Sequence, residues 1–381
     1  MAVPYKAPVK DIVFGYEVID SYNVLNKISA FSDFSEDIVI PTMEECAKFS
    51  EEVLAPINAI GDQQGATIKD GVVTMPEEFV DAYQKFAEAG WASISLPSDI
   101  GGGGMPITLS GGTLEILSTA NLAFGLAPGL SAGAISAINF HGSQEQKDKF
   151  LPKLVSGEWT GTMNLSEPQS GSDLGTITTK AEPQEDGTYK ITGQKIFISA
   201  GDHDLSENII HLVLAKVPGG PEGIKGISMF IVPKFLVKED GSLGEHNNLS
   251  VGKIEDKMGI HGNSTCVMNY DGATGFLIGE QHKGMRAMFT MMNEARLGVG
   301  LQGYSQAEVA LQNATAYSKD RLQGRNFLGK SNKEGPADPI IVHPDIRRSL
   351  MDQKSFVEGA RAFTFWGAQL IDAASRSKDQ S

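Results

Sequence analysis

The sequence predicts an α+β protein of several domains, in which helical regions flank a central β region. The spacing of apolar residues changes twice along the 381 residues, from helical to strand-like and back to helical. This length exceeds what one ordinary hydrophobic core holds, so two or three subdomains are expected. The predicted blocks are an N-terminal α-helical domain at 1–158, a central antiparallel β-barrel or sandwich at 159–284, and the start of a C-terminal helical bundle at 285–381.

The first block carries helix-start and helix-stop signals. Pro76 stands where a helix begins and Gly90 where it ends, and the apolar residues between them recur at helical spacing. A second helix opens at Ser143, with Gln146 in the position of a capping-box partner. Residues 108–137 carry almost no charge, which predicts buried helix.

The second block is rich in strand patterns. Residues 188–199 and 209–215 are strand-like, and Asp186-Gly187 is a hairpin-type turn ahead of the first of them. Residues 226–233 and 264–270 are predicted to add further strands. Several short strands with turns between them are typical of an antiparallel barrel or sandwich.

The third block returns to helical spacing. Apolar residues between Met285 and Val299 step by three and four, a stripe more typical of a core than of a ligand site. Residues 332–339 form a polar loop, residues 343–369 are helical in pattern, and residues 375–381 are polar.

Composition narrows the function classes. Lys and Arg total 32 against 47 Asp and Glu, a net charge of −15, so a nucleic-acid partner is not expected, although a small anionic ligand still fits. Cys46 and Cys266 give no disulfide framework, and the scattered histidines give no metal site. No apolar run reaches bilayer length and no signal peptide is visible, so we expect a cytoplasmic protein without a membrane span.

Two glycine-rich stretches resemble phosphate loops. Residues 324–331 match the phosphate-loop pattern of nucleotide-triphosphate binders, which needs a strand before it and a helix after it. Here a helical pattern precedes the motif and a polar loop follows it, so a nucleotide site is not expected. Residues 101–104 follow no β-branched strand and are interpreted as a lid or turn.

The most informative stretch is Thr162–Leu174. A predicted strand ends there in Ser-Glu-Pro and continues into Gly-Ser-Asp. Pro168 ends ladder pairing, and Gly171 allows the backbone to approach a ligand closely. Ser166 and Ser172 place hydroxyl groups on that turn. Taken alone, the stretch fits an ordinary polar turn equally well.

This stretch resembles the signature of the acyl-CoA dehydrogenases, and further matches follow in family order over nearly the whole chain. They are Gly142–Trp159, Gly193–Gly201, Lys257–Thr265, Leu277–Gly284 and Tyr317–Arg321. Residues 5–12, 238–249 and 331–338 resemble the long branch of the family that includes the 3-methylmercaptopropionyl-CoA dehydrogenases. The resemblance implies the acyl-CoA dehydrogenase fold, FAD as cofactor and an acyl-CoA substrate. It also implies an electron-transfer flavoprotein as acceptor and a homodimer or homotetramer.

The resemblance assigns site residues by position. FAD contacts are implied for Met163, Leu165, Ser166, Ser172, Phe197, Ile198, Ser199 and Arg321. Ser166 stands where the family places a Thr near flavin N5, and Ser172 also matches a contact to the thioester chain. Asn293 and Arg296 match positions that touch CoA. Arg321 matches an arginine that reaches the FAD pyrophosphate of a neighbouring subunit, a task suited to a guanidinium group. Many members have Trp at Phe197 and Tyr at Met163, and both replacements keep apolar contact.

The family reaction needs a carboxylate base that removes the proton α to the thioester, while the β carbon gives a hydride to flavin N5. Most members carry this Glu in a Tyr-Glu-Gly-like motif that these 381 residues lack, so we expect the parent chain to continue towards it. A minority place the Glu immediately before the residue matched by Arg296, where this chain has Ala295. Glu294 is one residue away, which turns the side chain by about 100° on a helix. The catalytic base therefore stays unknown, with Glu294 as a candidate.

Two alternatives stay open, and the missing base supports the first of them. One is a non-catalytic flavin- or acyl-CoA-binding protein on the same fold, which would keep its flavin but would not bleach with acyl-CoA. The other is a nucleic-acid-associated relative of the fold, which the charge balance disfavours.

Overall fold

The computed structural model describes residues 4–376, which divide into two compact units. The helical unit comprises residues 4–56, 106–122 and 297–376, and the sheet unit comprises residues 57–105 and 123–296. The three domain boundaries drawn from the sequence stay a prediction.

Ten α-helices lie within the described residues. In chain order they are α1 (Val9–Val18), α2 (Ser21–Leu25), α3 (Glu36–Phe49), α4 (Ala55–Gln64), α5 (Glu77–Glu88), α6 (Ile107–Ala120), α7 (Leu122–His141), α8 (Gln144–Ser156), α9 (Gly284–Asp320) and α10 (Pro344–Arg376).

Eleven β-strands lie in the same described range. They are β1 (Thr67–Lys69), β2 (Val72–Thr74), β3 (Trp159–Asn164), β4 (Lys180–Pro183), β5 (Tyr189–Ile198), β6 (Asn208–Lys216), β7 (Ile227–Pro233), β8 (Phe235–Val237), β9 (Leu243–His246), β10 (Leu249–Ile254) and β11 (Cys266–Ile278).

Local signals place several of these elements as predicted. Pro76 is the N-cap residue of α5, and Gly90 follows that helix with a left-handed φ of 75°. The capping box at α8 is confirmed, because the Ser143 hydroxyl accepts from the Gln146 N–H and the Ser143 N–H donates to the Gln146 side chain. The predicted buried helix at residues 108–137 is instead two helices, α6 and α7.

The break between α6 and α7 has a local cause. Asn121 takes an extended conformation, with φ −158° and ψ 92°, and its side-chain amide donates to the carbonyl oxygen of Leu54 at 3.2 Å. A short polar side chain that bonds to a main-chain group competes with helical hydrogen bonding. The uncharged sequence around Asn121 does not indicate this hydrogen bond, because Leu54 lies 67 residues away in the chain.

The helical unit is held by a buried charge network. The Arg361 guanidinium on α10 donates to both carboxylate oxygens of Glu115 on α6, with a shortest distance of 2.6 Å. It also donates to Glu308 on α9 at 3.3 Å, and the Tyr304 hydroxyl donates to Glu115 at 3.0 Å. Arg361 is 1% exposed, so this network joins three helices in the interior.

The sheet unit contains a seven-stranded sheet whose hydrogen-bonded path closes on itself. The path runs β11-β5-β4-β6-β7, and β7 pairs with β11 again. Most pairs are antiparallel, as predicted for a barrel or sandwich, but β3 and β4 run parallel to β6. Parallel neighbours need a crossover connection, and the β4–β5 hairpin lies in the connection between β3 and β6.

One described helix, α7, is long and apolar enough to cross a membrane by length and composition. Half of its apolar window is buried, and Ala134, Ile135 and Ile138 pack in one core cluster with Trp159 of β3. The core helix of a folded domain passes the same test, so the length of α7 is weak support for a span.

Candidate functional site

The two segments that resemble flavin-binding strands lie side by side in the sheet unit. The Ile196 N–H, near the end of β5, donates to the Ser166 carbonyl oxygen at 2.9 Å. The Lys195 ammonium donates to the Leu165 carbonyl oxygen, also at 2.9 Å. These bonds bring together Met163, Leu165 and Ser166 from the first segment with Phe197, Ile198 and Ser199 from the second.

A buried ion pair links the same segments. Lys195 Nζ lies 2.9 Å from Glu167 Oε1, and the two side chains are 0% and 2% exposed. Burial raises the pKa of Glu167, but Lys195 and the surrounding donors outweigh it and bring the pKa to about 2. Burial lowers the pKa of Lys195 to about 8, against the pull of Glu167. Both groups are therefore charged at neutral pH, and the donors around Glu167 stabilise its carboxylate.

A β-bulge sets the conformation of Phe197. Ile198 pairs with Cys266 and Lys195 with Met268, so Ile196 and Phe197 together oppose a single residue of β11. Phe197 has a left-handed φ of 57° and its side chain is 60% exposed. Such a backbone costs a bulky residue about 1–3 kcal/mol and is found mostly at functional sites. The bulge therefore holds an aromatic ring out of the sheet at an energetic cost.

Free hydroxyl groups accompany this ring. Within residues 4–376, three serine side chains of the two segments make no hydrogen bond; they are Ser166, Ser172 and Ser199. Ser166 and Ser199 are half-buried, whereas Ser172 is exposed on the turn after β3. Met163 and Leu165 are half-buried apolar side chains of the first segment. Apolar surface with nearby hydroxyl groups suits a planar ring with polar edges, such as a flavin.

Buried hydroxyl groups beside the second segment were not assigned from the sequence. Ser264 and Thr265 are each 1% exposed, and their hydroxyl oxygens have no hydrogen-bond partner in the structure. The Ser264 carbonyl oxygen accepts from the Gly201 N–H at 3.2 Å. The burial of these hydroxyl groups is a tertiary property, so no local sequence signal could have revealed it.

Lys195 and Glu167 were also missed, and here a signal existed. The buried residues of β5 are Ile191, Lys195 and Ile198, so the lysine occupies an inward-facing position of the strand. A charged residue at such a position needs a partner, because an unpaired buried charge is costly. The identity of that partner, 28 residues away, requires the fold.

The residues matched to CoA contacts lie on α9 in the sheet unit. The Arg296 guanidinium donates to the Asn293 side chain at 3.0 Å and lies 5.4 Å from the centre of the Phe289 ring. Glu294 accepts from the Ser136 hydroxyl of α7 at 2.5 Å. Desolvation of this carboxyl raises its pKa to about 7 although the residue as a whole is exposed, and Ser136 acts in the opposite direction. A carboxyl that titrates near neutral pH can exchange protons in catalysis.

Arg321 lies in the helical unit, directly after α9. Its main chain bonds to Tyr317 and Ile340, and the residue is exposed. Its guanidinium has no hydrogen-bond partner within the part of the chain that the structure describes, which leaves it available to a ligand.

Comparison with known proteins agrees with this geometry. The family model for the acyl-CoA dehydrogenase N-terminal domain matches residues 42–158 of this chain, and the family model for the middle domain matches residues 162–273. A 3-methylmercaptopropionyl-CoA dehydrogenase of Ruegeria pomeroyi is 44% identical over 377 residues, which are 99% of this chain and 64% of that protein. This chain therefore spans less than two thirds of the length of that relative.

Solved structures share the fold. A butyryl-CoA dehydrogenase of Megasphaera elsdenii superposes with a TM-score of 0.73 at 26% identity, covering 90% of this chain and 82% of that one. An acyl-CoA dehydrogenase of Bacillus anthracis, solved in complex with FAD, also has a TM-score of 0.73, at 24% identity over 93% of this chain and 56% of that one.

Both paired segments, the bulge and the buried hydroxyl groups fall within the middle-domain match at residues 162–273. Helices α4 to α8, which precede them, fall within the N-terminal match at residues 42–158. Sequence and fold lead to one assignment: the chain belongs to the acyl-CoA dehydrogenase family.

Proposed function

We propose that the protein binds FAD and catalyses the α,β-dehydrogenation of an acyl-CoA thioester. The observation that carries this proposal is the pairing of the two segments through Ile196 and Ser166, with the exposed ring of Phe197 beside them on a strained backbone. Membership of the acyl-CoA dehydrogenase family supports the same reaction class.

The chain's own residues would hold the cofactor as follows. Met163, Leu165 and Phe197 offer apolar contact to the flavin ring, whereas the Ile198 side chain is buried in the core of the sheet unit. The Ser166, Ser172 and Ser199 hydroxyl groups offer hydrogen bonds to the polar parts of the flavin. When bound, FAD supplies the acceptor for the hydride that leaves the β carbon. Arg321 offers a guanidinium to a pyrophosphate, in the pattern expected of a homodimer or homotetramer that shares its cofactor sites.

Residues of α9 would serve the substrate. Arg296, oriented by Asn293, provides a positive charge suited to the phosphates of CoA. We assign to Ser172, which is exposed on the turn after β3, a contact with the thioester chain as well as with the cofactor. Donors to the thioester carbonyl oxygen are required as negative charge develops there.

Removal of the α proton requires a base, and Glu294 is a poor candidate. Its carboxyl already accepts from Ser136, and it stands one residue from the position that a minority of the family uses. That displacement turns the side chain by about 100°. We therefore propose that another residue of the protein removes the proton.

Finer assignments complete the proposal. We expect an electron-transfer flavoprotein to reoxidise the cofactor, a place in fatty-acid metabolism and a cytoplasmic location. Similar proteins are named for different acyl groups, among them 3-methylmercaptopropionyl-CoA and butyryl-CoA, so the acyl group stays open.

Product analysis tests the proposed reaction. The purified full-length protein, loaded with FAD, is incubated with a panel of saturated acyl-CoAs and an electron acceptor, and the thioesters are analysed by mass spectrometry. We expect at least one acyl-CoA to lose two hydrogen atoms and form its 2-enoyl derivative. Protein that holds FAD but converts none of the panel would favour the non-catalytic alternative, and protein that binds no FAD would overturn the proposal.

A further inference from the structure

The Glu167–Lys195 ion pair contacts the main chain of both proposed flavin segments. Lys195 donates to Glu167 and to the carbonyl oxygen of Leu165, each at 2.9 Å. The next residue, Ile196, donates its N–H to the carbonyl oxygen of Ser166 at 2.9 Å. One lysine and its neighbour therefore fix two consecutive carbonyl groups of the first segment.

Glu167 extends this link to a third stretch of chain. Its Oε1 accepts from the N–H and the hydroxyl of Thr179, at 3.1 and 2.6 Å, besides Lys195. Its Oε2 accepts from the N–H and the hydroxyl of Thr178, at 2.7 and 2.9 Å, and from the Gln169 amide at 2.7 Å. Each carboxylate oxygen thus has three donors, so the side chain has no freedom to reorient.

The pair also lies at one end of the bulge. Lys195 pairs with Met268 of β11 and Ile198 with Cys266, and Phe197 lies between these two anchored positions. A left-handed backbone at a phenylalanine persists only where the surrounding structure determines it. The anchors on either side supply that constraint.

Stability alone does not account for a charged pair at this place. Removing two charges from water costs several kcal/mol for each ion, and apolar replacements of similar volume often leave stability unchanged or raise it. The hydrogen bonds of this pair are directed at particular backbone groups, which is a geometric role.

We propose that Glu167 and Lys195 are positioning residues for the cofactor. They hold the Leu165–Ser166 main chain against the Ile196–Phe197 bulge, and so fix the Ser166 hydroxyl and the Phe197 ring relative to the flavin. This inference rests on the proposed FAD site, and it adds two residues that would act through their neighbours and not by touching the flavin.

Three variants separate positioning from folding. Lys195→Met removes the charge at similar length, Glu167→Gln keeps the shape of the acceptor, and the double variant E167Q/K195M removes both charges together. Lys153→Met is the matched control, because Lys153 forms a half-exposed pair with Glu158 in the same unit. Measurements are the thermal midpoint, the FAD dissociation constant of the apoprotein, and the absorption spectrum and reduction potential of bound flavin.

We expect Lys195→Met to lower the thermal midpoint and the double variant to recover much of that loss, because it leaves no unpaired buried charge. We expect both to bind FAD about 10- to 100-fold more weakly, with a shifted flavin spectrum, as changes in supporting residues do at other preorganised sites. Lys153→Met should match the wild type in FAD affinity, flavin spectrum and reduction potential.

A double variant that folds and binds FAD with wild-type affinity, spectrum and potential would overturn the positioning role. Should Lys195→Met or the double variant not fold, Glu167→Gln decides by the same criteria, since it replaces one carboxylate oxygen that accepts three hydrogen bonds with an amide group that cannot accept. A wild-type protein without affinity for FAD would instead overturn the proposed function, so the two failures are distinguishable.

Discussion

Ile196 donates its main-chain N–H to the carbonyl oxygen of Ser166 across 2.9 Å, one residue before the bulged Phe197. This bond joins the end of β5 to the chain after β3, although 30 residues separate the two in the sequence. The strained conformation of Phe197, the free hydroxyl of Ser166 and the buried Lys195 all depend on this junction. Substitutions at this junction should therefore change FAD affinity and the free energy of unfolding by different amounts.

Phe197 should show a trade-off between stability and cofactor binding. Phe197→Gly and Phe197→Ala both remove the exposed ring, but only glycine takes the left-handed φ of 57° without strain. We expect the glycine variant to be more stable than the alanine variant by about 1 kcal/mol, as measured by urea unfolding. Both should bind FAD more weakly than the wild type. Wild-type FAD affinity in either variant would contradict a contact between this ring and the cofactor.

Arg361 should be essential to the helical unit. Arg361→Met leaves Glu115 buried without its charge partner, which we expect to lower the free energy of unfolding by about 3–5 kcal/mol. Lys354→Met removes one partner of the more exposed Lys354–Glu358 pair on the same helix and should change it by about 0.5 kcal/mol or less. Chemical denaturation of both variants tests this, and equal losses would show that burial of the Arg361 pair is unimportant.

Asp372 should act as a tertiary cap for α6. Its carboxylate accepts from the main-chain N–H groups of Ile107 and Thr108, each at 2.8 Å, at the first turn of that helix. Asp372→Ala should cost about 1–3 kcal/mol, because a half-buried and a buried N–H group lose a charged acceptor. Asp372→Asn keeps an acceptor oxygen for one of these two N–H groups and should cost less, which thermal midpoints would measure. An asparagine variant as unstable as the alanine variant would contradict the capping role.

Stability of the sheet unit should fall in mild acid. Burial, with a smaller contribution from Lys234, lowers the pKa of both His203 and His211 to about 3. An unfolded histidine titrates near 6.5, so between pH 6.5 and 3 the unfolded chain binds more protons than the folded one. This contribution to stability is complete above pH 6.5 and declines as the pH falls towards 3.

The expected size of this effect is about 2 kcal/mol for each histidine at pH 5. Urea midpoints measured between pH 7.5 and 5 give the slope, and His211→Asn should reduce it by roughly half in that range. A slope that does not change in this variant would mean that His211 is not buried in its neutral form.

Much of the fold could be predicted from local patterns, whereas the parts that depend on register could not. Strand-like sequence patterns placed β5 and β6, and the Ser143 capping box placed α8. The same patterns predict an ordinary strand at Phe197, because the bulge arises only from pairing with β11. The partners of Lys195 and Asn121 are likewise set by the fold and not by neighbouring residues.

The candidate site likewise has features that the sequence predicts and features that only the fold reveals. Family motifs identified both segments, and the structure places them next to each other. The hydroxyl groups of Ser264 and Thr265 acquired meaning only from their burial without partners. Of the two residues, Ser264 is tied to the second segment, because its carbonyl oxygen accepts from the Gly201 N–H.

Glu294→Gln separates the proton-accepting role from binding. Because Glu294 is engaged by Ser136 and stands out of register, we expect flavin reduction by a good acyl-CoA substrate to stay within about threefold of wild type. Ser136→Ala is the matched control for the contact itself. A loss of about 100- to 10,000-fold in Glu294→Gln alone, with unchanged FAD affinity, would make Glu294 the base.

Anaerobic reduction of bound FAD by an acyl-CoA tests the proposed function most directly. The oxidised flavin spectrum of the full-length protein is recorded before and after addition of each acyl-CoA in the absence of oxygen. We predict that at least one acyl-CoA bleaches the flavin absorption within the time of one catalytic turnover. A protein that keeps its FAD and shows no bleaching with any acyl-CoA of the panel would contradict the assignment as a dehydrogenase.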